Sequence, residues 1–241
     1  MNRMESQLES TWATFDPGEA VKTAVYQQPT STDLALFAPL HYEANYDYPL
    51  VVWLHGPGCS ETQLREVMPL VSMRNYVGAA PRGTSQQPAS TGSRGFSWDQ
   101  SDEGVSVAAD RVFATLEQAA GRYSINRKRV FLAGYDAGGT MALRLGLNYP
   151  EAFAGVVSLC GSFPDQGCPL ARWSAARQIP VLIASGRDSR MYPVSQVCDD
   201  LRLLSSAGMT ISLRQYPGAH ELTAHMLGDM NRWLMEQIAG E

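Results

Sequence analysis

The stretch VFLAGYDAGG, residues 130–139, restricts the fold more than any other part of the chain. Residues 130–133 are apolar without alternation, which suits one short strand buried on both faces. Gly134-Tyr135-Asp136-Ala137-Gly138 follows, and residues 140–147 read as a helix. Passing from strand to helix in so few residues requires a sharp turn, and glycine permits both the turn and a close strand–helix approach. The same order repeats. Strands are predicted at 49–54, 129–133, 155–159, 179–184 and 210–214, with a weaker one at 76–80. Between them lie helical faces carrying Val105, Ala108, Val112 and Leu116, then Val194, Val197, Leu201 and Leu204. A last helix turns Leu222, Met226, Met230, Trp233 and Ile238 inward. Alternation of this kind specifies an α/β fold, a mostly parallel central sheet with helices on both faces.

Residues 1–20 are polar with scattered apolar side chains and are expected to form a loosely packed arm, leaving 21–241 as a single domain. Residues 21–27 and 33–39 read as strands around the turn signal Gln-Gln-Pro-Thr-Ser, an antiparallel opening to the sheet. Residues 82–97 are rich in Gly, Ser, Thr and Gln with little periodicity and read as a long loop. The formal charge of −5, with no Lys/Arg stripe against it, argues against a nucleic-acid partner. Cys59, Cys160, Cys168 and Cys198 lack the close pairing of a metal site. No metal or cofactor is therefore expected. Cytoplasmic thiols are the default expectation, with a Cys160–Cys168 bridge as the minor alternative. No segment resembles the apolar core of a signal peptide, and no run is long enough for stable membrane insertion.

The reactive candidates follow strands, at the edge where open α/β sheets bind ligands. Asp136 is central in Gly-x-Asp-x-Gly, the pattern of a nucleophile elbow, which ordinarily carries serine. The string also suits an ordinary turn, since aspartate is a good turn and cap residue. Asp188 and His220 follow in the chain order nucleophile, acid, histidine. Taken singly, they would be a turn aspartate and a surface or capping histidine. His225 is expected on a helix surface, and His55 as a structural residue tying loop backbone together. Ser60 suits a helix cap, and Ser60, Arg82 and Trp98 are also candidates for the pocket lining.

Leu54-His55-Gly56-x-Gly58, Gly134-x-Asp136-x-Gly138-Gly139, Gly186-x-Asp188 and Gly218-x-His220 together resemble the phospholipase/carboxylesterase group of α/β-hydrolases. That group includes acyl-protein thioesterases and small bacterial esterases. The resemblance runs from about Leu34 onward and implies an α/β-hydrolase fold that cleaves carboxylic esters or thioesters. It implies catalytic positions at Asp136, Asp188 and His220 and oxyanion donors at Ala137 and Pro57, beside Gly58. Only about twenty residues separate Leu159 from Pro180, leaving no room for a cap domain. Two departures stand out. Asp136 replaces the serine, and Pro57 has no N–H to donate. Loss of one oxyanion donor costs about 3 kcal/mol in the transition state.

Aspartate is ionised without help and could act as a nucleophile. Its attack on an ester carbonyl would give an adduct that expels the weakly basic carboxylate more readily than an alkoxide. Attack on an epoxide or halide carbon would instead give a stable ester for His220 to hydrolyse through water. Tyr135 and Trp98 are the nearest candidates to assist that chemistry. The sequence is therefore compatible with an impaired esterase that binds a small-molecule, ester-like ligand. It is also compatible with a hydrolase using Asp136, an esterase whose serine was replaced by mutation, or a noncatalytic interaction module. A homodimer is compatible with the sequence as well.

Overall fold

A computed structural model describes residues 33–88, 94–165 and 172–240. Along the chain, β1 (Leu34–Phe37) and β2 (Tyr48–Leu54) precede α1 (Leu64–Val71) and β3 (Val77–Pro81). A hairpin of β4 (Ser85–Pro88) and β5 (Arg94–Ser97) leads to α2 (Asp102–Arg122), β6 (Ile125–Tyr135) and α3 (Ala137–Asn148). Then come β7 (Gly155–Leu159), a short α4 (Trp173–Ala176), β8 (Val181–Gly186), α5 (Val194–Ser206), β9 (Ile211–Tyr216) and α6 (Ala224–Ala239).

The main sheet has seven strands in the order β1-β3-β2-β6-β7-β8-β9. β1 runs antiparallel to β3, and every other neighbouring pair is parallel. Side-chain alternation divides the strands between two cores. On β2, Leu50, Val52 and Leu54 enter one core while Val51 and Trp53 enter the other, and all five are fully buried. The first core is closed by α2, α3 and α5 through Val112, Met141 and Val197. The second is closed by α1 and α6 through Leu64, Met68, Met230 and Trp233. Each large apolar side chain so buried contributes about 2 kcal/mol. That is why the buried parts of β2 and β6, residues 50–54 and 130–133, read as apolar runs rather than alternating ones.

The helix starts follow from capping chemistry. The Ser101 hydroxyl accepts the Gly104 N–H at the start of α2, and the Thr223 hydroxyl accepts the Met226 N–H at the start of α6. Ser60 caps the 3-10 turn Glu61–Gln63 by accepting from the Thr62 N–H.

Two expectations are corrected. Much of the expected loop over residues 82–97 is the β4–β5 hairpin, with Gln86 opposite Phe96. Its strands carry polar side chains and have no core of their own, so no apolar alternation announces them. Phe96 anchors the hairpin by bridging to Cys59 and lying under the Arg82 guanidinium, 4.8 Å from the ring centre. On α5, Val197 and Leu204 are buried and Leu201 is half-buried, whereas Val194 is the first helical residue and is exposed. The expected N-terminal arm, the strand at 21–27 and the Cys160–Cys168 pairing fall wholly or partly outside the described residues. Cys59, Cys160 and Cys198 are free thiols. Among the described residues, no helix is long and apolar enough to cross a membrane.

Candidate active site

The carboxyl ends of β2, β6, β8 and β9 lie on one edge of the sheet and bring their loops together. β6 delivers Asp136 with φ 52° and ψ −120°, a left-handed conformation costly for any residue with a side chain. The surrounding structure enforces it. The Asp136 N–H donates to Leu159 O at 2.9 Å, and Asp136 O accepts the Thr140 N–H at 3.0 Å. Gly138 lets α3 approach β2 so closely that a Cβ there would lie 2.2 Å from Leu54 O. Strand, strained turn and helix thus form an elbow, as the glycine pattern predicts.

His220 follows β9 and meets the elbow. Its Nε2 lies 3.0 Å from Asp136 Oδ2, with the two side chains only 11% and 20% exposed. The carboxylate is off the axis of the ring N–H, so Nε2 is in ion-pair range without a formed hydrogen bond. The other ring nitrogen does not meet Asp188. Nδ1 faces Ser189 Oγ at 3.0 Å, and Ser189 is buried. Asp188 is exposed, and its backbone N–H donates to Gly218 O at 2.9 Å. The loop after β8 therefore turns the residue after Asp188 toward the histidine. Nothing in the sequence distinguishes Ser189, because it is not the carboxylate a site histidine ordinarily meets and neighbouring residues on a tight loop present different faces.

Ser189 is held firmly. Its Oγ also accepts the Tyr192 N–H at 3.0 Å, while the buried Tyr192 phenol donates to Asp200 Oδ2 at 2.8 Å. Asp200 additionally accepts the Phe163 N–H. Burial raises the Asp200 carboxyl above the usual range despite these donors.

The loop after β2 has spent its backbone donors. Pro57 is exposed and has none. The Gly56 N–H donates to Gln63 Oε1 at 3.1 Å, the Gly58 N–H to Phe96 O at 2.9 Å, and the Cys59 N–H to Gly56 O at 3.2 Å. Ala137 is different, since its N–H lies in the first turn of α3, where no intrahelical acceptor exists. At most one of the expected oxyanion donors is thus available.

His55 is a structural residue. It is fully buried, its Nε2 accepts the Gly83 N–H at 2.9 Å, and its Nδ1 lies 2.8 Å from Gly56 O. Accepting at Nε2 places the ring proton on Nδ1, which donates to Gly56 O. Burial lowers its pKa below 6.5. Trp98 lies beneath this loop rather than in a pocket wall, with its indole N–H on His55 O at 2.9 Å. Arg82 makes two bonds to the buried Glu61 carboxylate, at 2.8 and 2.6 Å, and one to Asp33 at 2.7 Å. The hydrogen bonds to Glu61 raise the Arg82 pKa further. A cavity of about 480 Å³ beside Arg82 is lined also by Arg111, Thr84 and Phe96. It does not include Asp136 or His220. The candidate reactive groups Asp136, His220 and Ser189 meet instead at the elbow.

Tyr135 spans the site. Its ring packs over Gly56, and its phenol donates to His220 O at 3.1 Å. Burial, with Cys160 next in effect, pushes its pKa up to about 12. Burial likewise pushes the Cys160 thiol up to about 11, so this buried cysteine is a thiol rather than a nucleophilic thiolate at neutral pH. His225 is on the surface of α6, as expected, with its ring against Tyr216. Among the described residues, no group of His, Cys, Asp and Glu forms a metal-binding cluster.

The fold is that of the α/β-hydrolases. Residues 43–238 match the Phospholipase/Carboxylesterase family model, and the chain belongs to that family. It is 26% identical over 210 residues to the carboxylesterase SOBER1 of Arabidopsis thaliana, covering 79% of this chain and 91% of that protein. It is 25% identical over 147 residues to acyl-protein thioesterase 1 of Gibberella zeae, covering 58% of this chain and 61% of that protein. The solved carboxylesterase from Mesorhizobium loti superposes with a TM-score of 0.70 at 20% identity, covering 87% of this chain and 98% of that one.

Proposed function

We propose that the protein is a catalytically impaired member of its family, one that binds a small-molecule, ester-like ligand without hydrolysing it. The observation that carries this reading is the carboxylate of Asp136 at the elbow, 3.0 Å from His220, where acyl transfer needs a hydroxyl. The adjoining loop supports it, because Pro57 lacks an N–H and the Gly58 N–H is committed to Phe96 O. An oxyanion formed beside Asp136 would also meet a fixed negative charge. At about 4 Å, two unit charges repel by about 1 kcal/mol in water and about 4 kcal/mol near a protein surface.

The competing reading makes Asp136 a nucleophile toward an epoxide or halide carbon. Such chemistry needs a donor for the departing atom. The Tyr135 phenol and the Trp98 indole, the nearest candidates in the sequence, each donate to a backbone carbonyl, His220 O and His55 O respectively. An epoxide and haloacid panel with mass analysis of the protein separates the readings. The binding reading predicts no covalent adduct on Asp136. An adduct that accumulates in H220A and is lost in D136N would establish the nucleophile instead.

A further inference from the structure

We infer that the relay in this site runs in reverse. Ser189 donates its hydroxyl proton to His220 Nδ1, and His220 presents Nε2–H to Asp136, so that Ser189 is the positioning residue that fixes the histidine tautomer. In an acyl-transfer triad, a carboxylate holds Nδ1–H and leaves Nε2 bare to receive the nucleophile's proton. Here the hydroxyl and the carboxylate have exchanged ends of the imidazole.

The assignment follows from counting protons. Ser189 Oγ has one hydrogen and already accepts the Tyr192 N–H at 3.0 Å. Its remaining partner is His220 Nδ1 at 3.0 Å. If Nδ1 carried the proton, Ser189 would accept twice, and its own hydrogen would be stranded in a position only 5% exposed. An orphaned buried donor costs about 1–3 kcal/mol. The opposite end gives the same answer. A bare Nε2 lone pair would face Asp136 Oδ2 at 3.0 Å and be repelled, whereas Nε2–H is attracted even off-axis. Both ends of the ring select the Nε2–H tautomer.

The tautomer has a chemical consequence. His220 cannot accept a proton at Nε2, the nitrogen that faces the elbow. A hydroxyl restored at position 136 would therefore find no base there. The loss of hydrolysis then has two parts, the absent hydroxyl and the reversed ring, and the Ser189 end of the second persists after the first is repaired. This inference deepens the impaired-enzyme reading, and its primary test does not depend on that reading.

The primary test is nitrogen NMR of 15N-histidine-labelled protein at a pH where the His220 ring is neutral, assigned with H220A. The expected pattern is a protonated Nε2 and a bare Nδ1, with S189A weakening that preference to what the Asp136 carboxylate alone supports. A protonated Nδ1 in the wild type, or a pattern unchanged in S189A, would overturn the inference. The second test compares D136S with D136S/S189D on an aryl ester. In a serine protease, the wrong histidine tautomer costs about 10⁴ in turnover. Restoring a carboxylate at position 189 should therefore raise kcat/KM at least about tenfold over D136S and move the ring proton to Nδ1. Equal rates with an unmoved proton would also overturn it. Ester turnover by the wild type with Nε2–H intact would refute the impaired-enzyme reading and leave the reversed relay standing.

Discussion

His55 and His220 follow strands of the same sheet and share one edge, yet they are solved differently. His55 is fully buried, and backbone groups satisfy both ring nitrogens, Gly83 N–H at one and Gly56 O at the other. His220 is held by side chains, with a hydroxyl at Nδ1 and a misaligned carboxylate at Nε2. A ring whose partners are backbone is part of the scaffold, and its environment changes only if the chain moves. A ring whose partners are side chains can be retuned by single substitutions without disturbing the strands. The difference places a backbone-held histidine at one end of that edge and a histidine open to retuning at the other.

The comparison predicts its own largest effect. His55→Ala should destabilise the fold by about 3 kcal/mol or more, since it opens a cavity and strands the Gly83 N–H and Gly56 O. His220→Ala should cost less, about 1–2 kcal/mol, because it strands one buried hydroxyl, that of Ser189, rather than two backbone groups. Urea unfolding of both variants measures the contrast, and equal losses would erase it. Next in size is the ion pair that fixes Arg82. Breaking a buried pair costs about 3–5 kcal/mol, and partial exposure of Arg82 reduces the expected loss for Glu61→Ala to about 2 kcal/mol. A loss confined to a few tenths would mean that the pair is no better than a surface one.

Acid should act through His55. Burial favours its neutral form in the fold, so the unfolded chain takes up the proton first as pH falls. The resulting stability is complete above the unfolded value of 6.5 and is lost as pH falls from there through the lower folded value. One such group gives a slope of at most about 1.4 kcal/mol per pH unit. Melting curves from pH 8 to about 5 should show this fall in H220A as well as in the wild type. Its absence in both proteins would contradict the assignment of His55 as the buried neutral histidine. The smallest effect concerns the elbow. Asp136→Gly removes the left-handed strain and should stabilise the fold by about 1 kcal/mol. A destabilised Gly variant would show that the Asp136 side chain stabilises the fold by more than its backbone strain costs.

The order of strands and helices was readable because strands buried on both faces must be apolar throughout and the intervening helices must show one apolar stripe. The elbow was readable because few residues tolerate its backbone, and glycine must stand wherever α3 crosses close to β2. Two things were not readable. The β4–β5 hairpin has no core-facing alternation, because it is tied to the loop after β2 through the backbone of Phe96 and the close approach of Gly95 to Gly58. The motif points to Asp188 as the partner of His220, since a carboxylate is the usual companion of a site histidine. Which of two adjacent residues faces the ring is set by the path of the loop, through the Asp188 N–H bond to Gly218 O and the Tyr192 N–H bond to Ser189. Those bonds connect residues whose side-chain types do not announce them. The structural role of His55, by contrast, is legible from its place in a glycine loop.

The proposed loss of acyl transfer at the elbow is tested most directly by stopped-flow kinetics on an activated aryl ester. With wild-type protein in excess over trace contaminants, the expected result is no burst and a steady rate indistinguishable from that of H220A. A burst stoichiometric with protein, followed by turnover that H220A abolishes, would contradict the claim.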